Sequence, residues 1–193
     1  MYLEINPAKT SSALRALIVN YLKSGKIIVY PTDTIYGLGC LATNQKAILK
    51  IRRIKKRSVN KPFIILVSSL KMVKDYCFIS QKQELILKKI WQQKRPTSVI
   101  LRSKNNLPKA IISKNQTLAV RLPKSNFLRK IIRASGVPLV STSFNLSGEP
   151  VYQEISQALK IRGVDLFLDA GHLKQQASKI IDLTGEALKI IRP

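Results

Sequence analysis

The sequence predicts an α/β fold: a single-domain, twisted, open mixed sheet with flanking helices, spanning residues 1–193. Three observations carry this expectation. Short apolar runs such as Lys26–Tyr30, Phe63–Val67 and Leu166–Asp169 have the length and β-branched content of buried strands. Longer segments repeat their apolar residues at helical spacing. The two kinds do not strictly alternate, which disfavours a purely parallel, doubly wound sheet.

Taken in order, Thr10 or Ser11 can cap a helix with Ala13, Leu14, Leu17, Ile18, Tyr21 and Leu22 on its apolar side, ended by Gly25. Lys26–Tyr30 is a strand stopped by Pro31. Asn44 starts a second helix, with Ala47, Ile48, Ile51 and Ile54 on one side and Lys46, Lys50, Arg53 and Arg57 on the other. Phe63–Val67 follows as a strand, and Gln83–Trp91 as a helix. Ser98–Leu101 and Leu118–Leu122 read as strands, and Phe127–Ala134 as a basic helix closed by Gly136. Leu139–Thr142 is a strand running into the polar loop Ser143–Pro150. A helix is expected at Ile155–Ile161, then strands at Leu166–Asp169, Lys179–Leu183 and Ala187–Ile191.

A chain of 193 residues buries roughly 70% of its unfolded surface and needs no disulfide or metal staple. The two cysteines, Cys40 and Cys77, lack paired spacing, which fits a reduced, cytoplasmic compartment. No apolar run approaches the ~20 residues needed to span a bilayer, and the amino terminus lacks a basic leader. No membrane partner is expected. Charge is the informative number: 34 Lys and Arg against 10 Asp and Glu give +24. Thr34 to Lys74 holds ten basic residues and no acid, and Leu85 to Gly148 thirteen and none. Such a field attracts polyanions, although a generally lysine-rich proteome accounts for the total charge equally well.

Several standard sites are absent. Neither common glycine-rich phosphate loop occurs, and the single histidine, His172, cannot build a metal cluster. What remains is a set of polar segments beside predicted strands, where open α/β sheets place ligands. Pro31-Thr32-Asp33-Thr34-Ile35-Tyr36-Gly37-Leu38-Gly39, with a flexible glycine pair, fits either a capped turn or a ligand loop. Lys55-Lys56-Arg57-Ser58-Val59-Asn60-Lys61 packs four cations into seven residues. In extended chain Lys55 and Arg57 point the same way and can clamp a phosphate chain; the bland alternative is a solvated charge run. Arg95-Pro96-Thr97-Ser98 stands at another strand start. Thr117, Ala119 and Arg121 share one face by alternation, and a guanidinium there suits a carboxylate. Ser141-Thr142-Ser143-Phe144-Asn145-Leu146-Ser147-Gly148 crowds four hydroxyls and an amide at a strand end, where they can serve phosphates and a ligand amine.

These segments, in this order, resemble the threonylcarbamoyl-AMP synthase family, YrdC/TsaC, from about Leu14 to Arg192, and the chain looks like the short bacterial type. The resemblance implies a YrdC-like fold with a basic concave surface. It implies that L-threonine, bicarbonate and ATP, with Mg²⁺ accompanying the ATP, yield threonylcarbamoyl-adenylate and pyrophosphate. A threonylcarbamoyl-transferase complex then passes the group to tRNA. By matching positions, Thr34, Arg121, Ser141 and Ser178 would bind threonine. Lys55, Arg57, Lys61, Ser98, Thr117, Ser143, Asn145, Val151 and Arg192 would line the ATP site, with Lys55 and Arg57 as charge stabilisers, no acid–base residue and no protein ligand to the metal. The chain departs from the family pattern at Trp91–Pro96, a longer and charged loop, at Phe144, where a small residue is usual, and at Lys179. The competing reading is a non-catalytic factor that binds double-stranded RNA or matures ribosomes. The charge favours it, but the low aromatic content, 6%, and the hydroxyl-rich stretch do not. Direct tRNA or double-stranded RNA binding by a synthase is a third expectation.

Overall fold

The computed structural model describes residues 1–59, 61–158, 161–173, 176–185 and 187–193. Its strands are β1 (Tyr2–Glu4), β2 (Ile28–Tyr30), β3 (Gly37–Leu41), β4 (Ile64–Leu66), β5 (Cys77–Phe78), β6 (Thr97–Ser103), β7 (Thr117–Arg121), β8 (Leu139–Ser143), β9 (Leu166–Asp169), β10 (Lys179–Asp182) and β11 (Lys189–Arg192). The helices are α1 (Ser12–Lys23), α2 (Gln45–Ile54), α3 (Leu70–Tyr76), α4 (Gln81–Gln92) and α5 (Asn126–Ser135). The strands form one mixed sheet in the order β1-β9-β2-β3-β8-β4-β7-β6-β10-β11, with β5 paired to β6. Parallel pairs (β1/β9, β2/β9, β4/β7, β6/β10) interleave with antiparallel ones, as expected from the irregular element order.

The helices begin where side-chain oxygens can accept otherwise unpaired backbone N–H groups. Ser11, Asn44, Ser80 and Ser125 cap α1, α2, α4 and α5, each contact contributing about 1 kcal/mol. Gly136, at φ 79°, closes α5 in the left-handed region that glycine adopts without strain.

Register decides which side chains reach which face. Cys40, Val140, Ile65, Val120, Val99 and Ile181 are lateral neighbours across β3, β8, β4, β7, β6 and β10. This row belongs to a core with Ala47, Ile48 and Ile51 of α2 and Leu87 and Ile90 of α4. On the opposite face Ile28, Tyr30, Leu41, Leu139, Leu66 and Leu166 pack with Ile18 and Leu22 of α1 and Phe127, Leu128, Ile131 and Ile132 of α5. The next row on that face, Gly39–Ser141–Ile64–Ala119–Ile100, is the continuation of the sheet. From Ser141 to Ile100 that row floors an open basin.

Four elements escape sequence reading. β1 and β5 are short edge pairings, and α3 is a seven-residue helix. β3 is the instructive miss, because its glycines suggested a loop. Tyr30 lies across this strand and fills the space where side chains would stand. A Cβ on Gly39 would meet the Val140 carbonyl oxygen at 2.1 Å and the Tyr30 hydroxyl at 2.8 Å. Gly39→Ala is therefore expected to cost at least about 2–3 kcal/mol and lower the denaturant midpoint accordingly. Unchanged urea unfolding would refute it. The helix expected at Ile155–Ile161 is instead a single 3₁₀ turn at Ile155–Ala158, and residues 159 and 160 lie outside the described residues.

Candidate functional site

The basin has a volume of about 440 Å³ and is walled by loops from distant parts of the chain. Of the expected site residues, Thr34, Arg57, Lys61, Arg121, Ser141, Ser143, Val151, Ser178 and Arg192 line it. Lys55, Ser98, Thr117 and Asn145 do not. Ser98 is fully buried behind Ser178, hydroxyl to hydroxyl at 3.0 Å. Thr117 shares a face with Arg121 but bonds to Ser113 at 2.7 Å, near the far end of β7. A second cleft of about 490 Å³, with Val59, Pro62, Lys109 and Lys114 in its lining, contains none of the expected site residues.

One end of the basin is built around Arg121, at the end of β7. Its side chain is 7% exposed and forms an ion pair with Asp33, whose side chain is 11% exposed. Its Nη1 donates to Thr34 Oγ1 at 3.1 Å. Its Nε–H is buried with no partner among the described residues. Asp33 also accepts from the Lys124 backbone N–H at 3.0 Å, fixing the 31–36 loop to the segment after β7. The proton order in this loop follows from counting. Thr32 Oγ1 donates to the Ile35 carbonyl at 2.7 Å, so in the 2.8 Å contact between Thr32 and Thr34 the hydrogen belongs to Thr34. Thr34 Oγ1 thus has its hydrogen committed and accepts from Arg121. What it offers to the basin is acceptor capacity, suited to an N–H donor. The threonine at position 32, which lines the basin and sets this order, was missed by sequence reading.

The other end is cationic. Arg57 Nε and Nη2 donate to the Lys61 and Pro62 carbonyls at 3.2 and 2.8 Å, and its guanidinium lies 5.1 Å from the centroid of the Phe63 ring. Burial, and then the Arg52 charge, lower its pKa. Arg192 belongs instead to the Arg121 end: it donates from Nε and Nη2 to the Ser178 carbonyl at 2.9 and 2.5 Å, joining β11 to the segment before β10, and burial, then the Arg121 charge, lower its pKa. Between the two ends the floor is apolar, with Ile64, Ala119, Ile100 and Ile180.

Lys55 differs from expectation. The segment around it is not extended: Lys55 caps α2 in helical conformation, and Lys56 adopts φ 49°. The Lys55 ammonium turns inward, 2% exposed, and donates to Ser143 O at 2.5 Å, Asn145 O at 2.7 Å and Asn145 Oδ1 at 2.8 Å. Burial, and secondarily Arg57, pull its pKa down to about 8, so at neutral pH it keeps three hydrogens for three acceptors. Asn145, expected to continue the Ser141–Ser143 line, turns inward to meet it, because β8 ends at Ser143. Phe144 points away from the basin and packs edge-on against Tyr152 and Phe167, with centroids 5.6 and 6.0 Å apart. Its bulk does not narrow the site.

Three comparisons place this geometry. A family model covering Sua5, YciO and YrdC proteins, described as telomere recombination, matches residues 20–193. A threonylcarbamoyl-AMP synthase from Neisseria gonorrhoeae is 33% identical over 184 residues, covering 94% of this chain and 96% of that protein. A solved structure of Sua5 from P. abyssi, 26% identical, matches with a TM-score of 0.90 over 100% of this chain and 60% of that one. Escherichia coli YciO, 27% identical, matches at 0.88 over 100% of this chain and 94% of its own. With a family match over most of its length and the same open twisted sheet, this chain belongs to the Sua5/YciO/YrdC family.

Proposed function

We propose that this chain is a threonylcarbamoyl-AMP synthase. It forms threonylcarbamoyl-adenylate and pyrophosphate from L-threonine, bicarbonate and ATP. The observation that carries the reading is the pairing, in one basin, of an amino-acid-shaped end with a cationic end. The Arg121 side chain, which lines the basin, suits a carboxylate, and the spare acceptor capacity of Thr34 Oγ1, 3.1 Å from Arg121 Nη1, suits an amine. Ser141 and Ser178 add hydroxyls, with Arg192 against Ser178, while Arg57 and Lys61 face the space for a triphosphate, and Ser143 and Val151 flank it.

The chemistry asks for charge neutralisation and positioning more than for an acid or base. The threonine nitrogen bonds to the bicarbonate carbon with loss of water, giving a carbamate. A carbamate oxygen then bonds to the α-phosphorus as the bond to pyrophosphate breaks. Both steps bring anions together, and the cations lower that repulsion. Mg²⁺ fits as the companion of ATP, held by phosphates and water. Asp33 is already taken by Arg121 and the Lys124 N–H, and among the described residues no three His, Cys, Asp or Glu side chains cluster. The ion would supply further neutralisation of the triphosphate. Transfer to tRNA then falls to a separate threonylcarbamoyl-transferase complex. No described helix is long and apolar enough to cross a membrane.

Mass spectrometry of a reaction with threonine, bicarbonate and ATP is expected to find the carbamoyl-adenylate only when all three are present. No threonine-dependent product, together with salt-sensitive double-stranded RNA binding indifferent to threonine, would overturn the proposal in favour of the RNA-binding reading.

A further inference from the structure

We infer that Lys55 is a positioning residue, which locks the loop after β8 to the end of α2 and so sets the width of the nucleotide end of the basin, rather than a group that touches phosphate. The inference rests on ATP occupying the basin, as proposed above.

Lys55 grips the β8 loop from both ends of the residue. Its ammonium spends all three hydrogens on Ser143 O, Asn145 O and Asn145 Oδ1. Its own backbone carbonyl accepts from Ser147 N–H at 3.1 Å. Asn145 spreads the hold: its Oδ1 also accepts from Ser143 Oγ at 2.7 Å, and its Nδ2 donates to the Glu149 carbonyl at 2.6 Å. The two segments joined here both line the basin: Arg57 and Lys61 follow Lys55, while Ser143 ends β8 and Val151 follows the gripped loop. A 2% exposed ammonium with no hydrogen left over has nothing to give a phosphate. Its removal would instead leave the Ser143 and Asn145 carbonyls without their ammonium and Asn145 Oδ1 with Ser143 Oγ alone, and free the walls to drift; a small misplacement is costly in a site that works by positioning.

The test is a double-mutant cycle, read as ATP dissociation constant by calorimetry and as threonine KM. Lys55→Arg is the decisive variant, since it keeps the charge while its planar fork cannot converge on three acceptors in that space. Lys55→Arg and Lys55→Met are both expected to weaken ATP binding about tenfold or more, with a smaller effect on threonine KM. Asn145→Ala is expected to weaken ATP binding alone, yet to add no more than about twofold on top of Lys55→Met, because both act through one loop. Wild-type ATP affinity in Lys55→Arg, or losses that multiply in the double variant, would overturn the inference. Should thermal melting show Lys55→Met unfolded, Lys55→Arg and Asn145→Ala decide, and wild-type affinity in either counts against it. Failure of the proposed reaction shows separately, as wild-type protein that binds ATP but makes no threonine-dependent product.

Discussion

Replacing Arg121 with alanine is expected to cut threonine-dependent turnover, as kcat/KM, by about 30- to 1000-fold. The loss corresponds to on the order of 2–4 kcal/mol for a charge-assisted contact to the substrate carboxylate. The structure adds a consequence that residue types do not reveal. Arg121 is the counter-charge of Asp33, and both side chains are nearly buried. Removing one partner strands the other, so Arg121→Ala is also expected to lose on the order of 3 kcal/mol of stability. The two effects separate in Arg121→Ala/Asp33→Asn, which relieves the stranded charge and restores stability without restoring threonine use. Threonine-dependent ATP–pyrophosphate exchange and urea unfolding measure the two quantities. Unaltered threonine dependence in the alanine variant would remove Arg121 from the site.

The second large effect concerns phosphate. Arg57→Ala combined with Lys61→Ala is expected to weaken ATP binding by about 100-fold or more, from two cations each contributing on the order of 1.5 kcal/mol to a charged acceptor. Adenosine, which has no phosphates, should bind nearly as before. The pair lines the basin directly, and Arg57 is held on the Phe63 ring and on two carbonyls, so its guanidinium is placed before the ligand arrives. Calorimetry with ATP and adenosine in parallel checks this. An equal loss for both ligands would mean that the loop, and not its charge, had been the target.

Much of the site was legible in the residues because its chemistry sits in clusters. The hydroxyls at 141 and 143 share a side by alternation, and β8 runs through both, so the strand places them as alternation requires. Arg121 followed from the same argument on β7. Where alternation stopped, expectation failed. Lys55 and Arg57 pair only in an extended chain, but Lys55 is the helical C-cap of α2 and Lys56 takes a left-handed conformation, so the two side chains diverge. Asn145 lies past the end of its strand, and its orientation came from a lysine 90 positions away. The basin floor was illegible for a different reason. Ile64, Ala119 and Ile100 become neighbours only through the strand order, which no single segment encodes.

The amino-acid sequence alone determined most of the element types, the starts of α1 and α2, the apolar faces and the stock of hydroxyls and cations, because each depends on interactions within a few residues. The tertiary structure decided strand order, the partner of every buried charge and the direction each polar group offers its single hydrogen. Those are settled by contacts between segments far apart in the chain, where the cost of leaving a buried charge or carbonyl unpaired selects one arrangement. Hence Lys55, in the middle of a basic run, ends as a fastening inside the protein while Arg57, two residues on, faces the basin.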